Sequence, residues 1–232
     1  MTGGSYQQFC PVAMAAEVLG ARWTIVLIRE LVAGSTRFNE LRRGVPRMSP
    51  ALLSKRLKEL EDCGVVQRRP VPREPEVMEY RLTRSGKELA PIIEAIGIWG
   101  HRWTETKPQL ENLDAELLMW DMRRNIQVPE LPARRNVIQF IYPEHRAAER
   151  NWWIVVDPKS GADLCRVEPG FNVDLFVRTD LRTMTAIWMG LDTVTKAVDD
   201  GRLALTGDKE LQKNLLKWLG LSTLAGVKKQ VA

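Results

Sequence analysis

The sequence predicts an α+β protein of two domains, a helical N-terminal domain closed by a two-stranded hairpin and a C-terminal domain built on a mostly antiparallel sheet. Three observations predict it. Amphipathic helical segments run in series to about residue 62 and give way at once to two alternating strands. Five further strand patterns begin only after residue 135, and a long helical pattern between the two groups breaks at the proline of Glu105-Thr-Lys-Pro-Gln109. The expected domains are residues 1–106 and 107–232, each long enough to bury a core.

Composition narrows the function classes. With 44% hydrophobic and 27% charged residues the chain is ordinary for a globular protein, and no apolar run approaches the roughly 18 residues of a membrane span. The segment Met1-Thr-Gly-Gly-Ser-Tyr-Gln-Gln8 has neither the charged nor the apolar region of a signal peptide, so a cytoplasmic location is expected. Three cysteines (Cys10, Cys63, Cys165) without a CxxC, and two histidines (His101, His145), predict neither a disulfide framework nor a metal site. The net charge of +5 is concentrated: residues 37–69 hold 9 Lys and Arg against 4 Asp and Glu. Such a focused patch points to a polyanion partner.

In chain order, a helix is expected over Pro11–Leu19 and a second over Trp23–Ala33, where Ile25, Ile28, Leu31 and Val32 recur at helical spacing ahead of the stop at Gly34. A short helix over Arg37–Arg43 turns Phe38 and Leu41 inward. The next helix carries the sharpest local signals: Ser49 as N-cap, Pro50 at the first position, and Gly64 just past the end at Asp62. Its apolar face is Leu52, Leu53, Leu57 and Leu60, while Ala51, Lys55 and Lys58 point away and Ser54 flanks them. Small, hydroxyl and lysine residues opposite a packed face suit entry into a DNA major groove, where long cations meet phosphates or guanine edges. Two strands, Val65–Pro70 and Val77–Leu82, then complete a winged helix-turn-helix, with Arg68 and Arg69 on the first strand and Arg73 at the hairpin tip as cations for the DNA backbone or minor groove. The helix after the wing bears a stripe of Leu89, Ile92, Ile93, Ile96, Trp99 and Trp103, longer than one small domain needs. We read Leu89, Ile92, Ile96, Trp99 and Trp103 as a homodimer interface. A dimer would set two reading helices roughly 34 Å apart on a near-palindromic double-stranded DNA operator.

Residues 9–104 closely resemble the HxlR-type, MarR-related winged helix-turn-helix regulators of bacteria. The resemblance is carried by Cys10-Pro11, Gly20-Ala-Arg-Trp23-Thr, Leu27-Ile-Arg-Glu-Leu31, Arg37-Phe-Asn-Glu-Leu41, Ser49-Pro-Ala-Leu-Leu-Ser-Lys-Arg-Leu-Lys-Glu-Leu60, Tyr80-Arg-Leu-Thr83 and Gly86. It implies a sequence-specific transcription regulator that acts as a homodimer, with Ser49 to Lys58 as the reading helix. It also implies that Arg42, Arg43 and Arg47 contact phosphates from the preceding helix and turn. Some members of this family sense oxidants or electrophiles through a cysteine at the position of Cys10, and a thiol at the start of a helix feels the favourable N-terminal dipole.

In the second half a helix is expected from Asn112 to Asn125. Strand patterns follow at Asn136–Tyr142, Trp152–Val156, Ala162–Val167, Val173–Arg178 and Arg202–Thr206. Thr179-Asp180 caps a helix with Leu181, Met184, Ile187, Trp188 and Leu191, another segment runs from Thr193 to Asp199, and a last helix bears Leu211, Leu215, Trp218 and Leu219. The segments Val177-Arg-Thr-Asp-Leu181, Trp188-Met-Gly190 and Gly201-Arg-Leu-Ala-Leu-Thr-Gly-Asp208-Lys-Glu-Leu211 resemble the carboxy-terminal part of sterol carrier protein 2-like domains. That resemblance implies an apolar tunnel for a fatty-acyl, sterol-like or aromatic molecule, with Trp152, Trp153, Phe176, Met184, Trp188 and Met189 as lining residues.

No HExxH, GxSxG, P-loop or GxGxxG motif is present, so neither an enzyme nor a cofactor is expected. The leading expectation is a DNA-binding regulator modulated by a hydrophobic small molecule in the C-terminal domain. The alternatives are a thiol sensor acting through Cys10, or a lipid or acyl carrier with a basic docking domain.

Overall fold

A computed structural model describes residues 5–72, 74–105 and 110–231. The chain divides into two compact units, Met1–Gly97 and Ile98–Ala232. No single helix among the described residues is long and apolar enough to cross a membrane.

The first unit is a winged helix-turn-helix. Helices α1 (Pro11–Leu19), α2 (Thr24–Val32), α3 (Phe38–Gly44) and α4 (Pro50–Asp62) precede an antiparallel hairpin of β1 (Val66–Val71) and β2 (Glu74–Leu82). α5 (Arg84–Glu88) and α6 (Ala90–Trp103) follow, the helical pattern breaking at Leu89. Leu27, Ile28, Leu41, Leu53, Leu57, Leu60 and Val66 pack into one core, and Ile93 joins it from α6. Each fully buried aliphatic side chain contributes about 1.5–3 kcal/mol relative to exposure.

Two local features exceed the sequence reading. Trp23, expected inside α2, instead precedes it in the left-handed region at φ 78° and packs partly against the core. The hairpin is also tighter than the six-residue connection expected. Val71 pairs with Glu74 after a register shift between Pro70 and Val71, so the paired strands come closer together in sequence than the expected Val65–Pro70 and Val77–Leu82. A two-stranded sheet consists only of edges, so Pro70 and Pro75 deprive no central ladder of a donor. Arg73, named above as the wing-tip cation, lies outside the described residues.

The second unit begins with the last two turns of α6 and continues through α7 (Ala115–Asn125), capped by the Asp114 carboxylate on the Leu117 N–H, and a 3-10 turn (Val128–Glu130). Next come β3 (Asn136–Ile141), the one-turn α8 (Ala147–Arg150), β4 (Asn151–Asp157), β5 (Gly161–Cys165) and β6 (Leu175–Thr179). The chain then forms α9 (Leu181–Trp188), α10 (Val194–Asp199) and β7 (Leu203–Gly207). The expected last helix is two short ones, α11 (Lys209–Lys213) and α12 (Leu215–Leu219), broken at Asn214.

The five strands are ordered β5-β4-β3-β6-β7. All neighbours are antiparallel except β3 and β6, which run parallel in register Phe140 with Val177. Ile138, Phe140, Trp152, Ile154, Leu175 and Val177 face one core with Met119 and Met122 of α7, Met184 and Trp188 of α9, and Trp218 of α12. Two buried indoles donate to backbone carbonyls: Trp152 Nε1 bonds the Glu149 carbonyl at 2.8 Å and Trp218 Nε1 the Leu211 carbonyl at 2.9 Å.

Candidate nucleic-acid interface

The helix-turn-helix is built from its buried face outward. Ser49 Oγ accepts the Leu52 N–H at 3.3 Å, so this hydroxyl is already a helix cap. Leu53, Leu57 and Leu60 go into the core and Leu52 is half-buried, which leaves Ala51, Ser54, Lys55 and Lys58 exposed on the other side. Arg42, Arg43 and Arg47 are exposed on α3 and the turn behind it. The two lysines of α4 differ. Lys58 pairs with Asp62 at 2.8 Å and with Glu61 at 3.7 Å, and its pKa is raised chiefly by the hydrogen bond to Asp62. Lys55 makes no ion pair among the described residues.

Two residues that the sequence reading passed over hold this surface in place. Arg56 points inward from α4, where its Nε donates to the Arg22 carbonyl at 3.1 Å and its guanidinium pairs with Glu59. It thereby ties α4 to the loop carrying Trp23. On the wing, Glu79 is buried and accepts from Arg69 Nε at 2.9 Å and from Arg81 Nε and Nη2 at 2.8 and 3.0 Å. The Arg81 hydrogen bonds lead in holding its carboxyl down to about 2, against the cost of desolvation. Arg69 and Arg81 are therefore engaged within the hairpin, whereas Arg68 is exposed on β1. Arg37 at the start of α3 pairs with Glu74 of β2 at 2.9 Å, and the Tyr80 N–H bonds the Thr36 carbonyl at 2.8 Å. Such links are invisible in spacing because the partners lie 37 and 44 residues apart.

In α2, Glu30 is completely buried, with Arg29 and Ser35 as partners. Gly44 lies against it: a Cβ there would stand 1.9 Å from the Glu30 carboxyl carbon. That contact explains a glycine as the last residue of α3.

The stripe on α6 divides as a helix must. Ile93 turns into the core and Leu89 is half-buried, while Ile92 (48% exposed), Ile96 (41%), Trp99 (63%) and Trp103 (49%) stay open. Tyr6, Phe9, Val12 and Met14, in and before α1, are also exposed apolar side chains. Cys10 is the half-buried N-cap residue of α1, and the backbone N–H groups of Ala13 and then Val12 lower its thiol pKa.

In the second unit the sheet separates the tunnel residues. The ladder aligns Phe140, Trp152 and Val177 on the core face, with Met184 and Trp188 packed there and Met189 partly buried beside them. Gln139, Trp153 and Phe176 align on the opposite face, where Trp153 is buried and Phe176 is exposed. The six residues named from sequence therefore do not line one cavity.

The model of HxlR-like helix-turn-helix proteins matches residues 18–108. YvaP of Bacillus subtilis, an HTH-type transcriptional regulator, is 41% identical over 99 residues, which span 92% of YvaP and 42% of this chain. The chain belongs to the HxlR-like helix-turn-helix family. An HTH-type transcriptional regulator of Methanothermobacter thermautotrophicus is 34% identical over 97 residues, covering 74% of that protein and 42% of this one. Among solved structures, the redox regulator HypR in its reduced form is 34% identical and covers 45% of this chain and 100% of its own, with a TM-score of 0.38. The HxlR-like match ends at residue 108, ahead of the five-stranded sheet.

Proposed function

We propose that this chain is a sequence-specific DNA-binding transcriptional regulator that acts as a homodimer and whose operator affinity answers to a hydrophobic small molecule held by the C-terminal domain, residues 107–232. The observation that carries the DNA reading is the outward face of α4. Ala51, Ser54 and Lys55 stand exposed opposite the packed face of Leu53, Leu57 and Leu60, with Arg42, Arg43 and Arg47 exposed on α3 and the turn after it. Small residues let the helix backbone approach base edges, and the flanking cations neutralise phosphates. Arg68 adds a phosphate contact from the wing. The open apolar row of Ile92, Ile96, Trp99 and Trp103 supports the dimer, because a contiguous apolar patch of that kind marks an interaction site.

For the C-terminal domain we retain the sterol carrier protein 2-like reading in a narrower form. The sheet-helix core around Trp152, Met184, Trp188 and Met189 is the site we assign to an apolar effector, since Trp and Met offer large, adaptable surfaces. Trp153 and Phe176, on the other sheet face, stand outside it. An effector acts only through differential affinity for two states of the regulator.

The test is the ratio of affinities for a selected operator and random DNA at one salt concentration. A regulator retains a ratio on the order of a thousandfold or more. A carrier with a merely basic docking domain gives a ratio near one and binding that falls steeply with salt.

A second reading rests on Cys10, whose thiol pKa is lowered at the start of α1. Here the thiol itself is the sensor. If Cys10→Ser leaves the oxidant response of DNA binding unchanged, this reading is lost.

A further inference from the structure

We infer that residues 221–230 form a strap that positions the end of α6, so that residues in the C-terminal tail set how well the protein spans two half-sites of DNA. The inference rests on the dimer reading of α6 above.

The strap is anchored at both ends, and every contact lies within the second unit. At its start, Leu221 packs against the sheet-helix core and the Ser222 N–H bonds the Trp188 carbonyl at 3.0 Å, at the end of α9. Ala225 then lies on Gly190, which has φ 73° and so close an approach that a Cβ would stand 2.4 Å from the Ala225 carbonyl oxygen. At its far end the tail closes on α6. The Gln230 N–H bonds the Arg102 carbonyl at 2.9 Å and Lys229 Nζ bonds the Thr104 carbonyl at 2.5 Å. These are carbonyls that a helix terminus leaves without intrahelical partners, and a lysine there also complements the helix dipole.

Between the anchors lies His101, 4% exposed, with the Val227 carbonyl accepting from its ring and Nδ1 without a partner among the described residues. Burial first, and then the charge of Lys229, push its pKa down. His101 sits two residues from both Trp99 and Trp103. At 100° per residue that puts it about 200° around the helix from each. The turn that buries His101 under the strap therefore presents the two exposed tryptophans on its other side. Rolling this end of α6 changes which face Trp99 and Trp103 offer to a partner, and the strap opposes that roll. Its other anchor, at Trp188 and Gly190, is the end of the helix to which an effector is assigned above. Packing changes around α9 thus reach α6 through the chain's last residues.

The experiment compares the intact chain, Lys229→Ala, Lys229→Arg and a chain lacking residues 227–232. Duplexes with two half-sites and with one, selected from random DNA using the intact chain, are the ligands, and thermal melts verify folding. We expect the truncation to weaken two-site binding about tenfold while one-site binding stays within about twofold, a coupling of ordinary size. Lys229→Ala should move in the same direction, and Lys229→Arg, which keeps the donor, should restore binding. The inference is overturned if folded variants bind the two-site duplex as tightly as the intact chain, or if both duplexes weaken equally. If the intact chain itself gains nothing from a second half-site, the dimer reading fails and the strap's role fails with it.

Discussion

Arg37 and Glu74 join the start of the first helix of the DNA-binding motif to the second strand of the wing through a 2.9 Å ion pair, both side chains about half exposed. An exposed pair of this kind contributes at most about 1 kcal/mol. Its effect is geometric, since it links the hairpin near its tip to the start of α3. Arg37→Ala is expected to leave the melting temperature nearly unchanged and to speed amide exchange at Val71 and Val77, read by hydrogen-deuterium exchange.

The two lysines of α4 should behave differently on DNA. Lys55→Ala removes an unpaired cation and should lower the salt slope of operator binding by about one. Lys58→Ala also releases Asp62 and Glu61 from their ion pairs, so the loss of one positive contact is joined by two unneutralised acids. Its affinity deficit relative to the intact chain should be largest at low salt and shrink as salt screens those acids. Parallel salt titrations of the two variants decide the matter; identical curves would contradict the ion-pair assignment.

Glu79 makes the wing sensitive to acid. Its carboxyl is held down to about 2 from an ordinary 4.5 when folded, so the unfolded chain takes up a proton first as pH falls. The stability it confers is complete above 4.5 and disappears as pH drops toward 2. Glu79→Gln should be less stable at neutral pH and should lose most of that dependence, as followed by denaturant titrations at several pH values.

At Gly44 there is no room for a side chain. Gly44→Ala would drive a Cβ into the Glu30 carboxyl and should destabilise the first unit by about 1–3 kcal/mol, the usual cost of overpacking. Urea unfolding would show it. Truncating Glu30 to Ala in the same chain should recover part of the loss if the clash is its cause.

Much of the first unit was legible because its signals are local. Ser49, Pro50 and Gly64 mark both ends of α4 through hydrogen bonds and backbone preferences that reach only three or four residues. The leucine spacing then says which side is buried. The outward face of α4 could be read by subtraction, as the residues the core did not take. Arg69, Arg81 and Arg56 look as available as Arg68 in the sequence, and only folding shows them engaged with Glu79, Glu59 and the Arg22 carbonyl. The Arg69–Glu79 partnership becomes visible once hairpin register is known, and register depends on a bulge after Pro70 that no short pattern announces.

In the second unit the strand positions were readable but their pairing was not. The five strands announce themselves by short β-branched and aromatic runs between turn signals, yet such runs look the same for a parallel and an antiparallel neighbour. The chain after β5 returns beside β3 in parallel, and that pairing aligns Trp153 with Phe176 across the face opposite Trp152. A one-residue choice of face decides whether a tryptophan belongs to a core or to the reverse of the sheet.

By itself the amino-acid sequence determined where α4 starts and stops, which of its residues are turned outward, and which family the first half belongs to, because capping and periodicity act over one or two turns. Tertiary structure alone decided which arginines are engaged in ion pairs, which aromatic residues share a sheet face, and how residues 221–230 reach back to His101. Those outcomes depend on contacts between residues tens to more than a hundred positions apart, where chain geometry rather than local preference sets who meets whom.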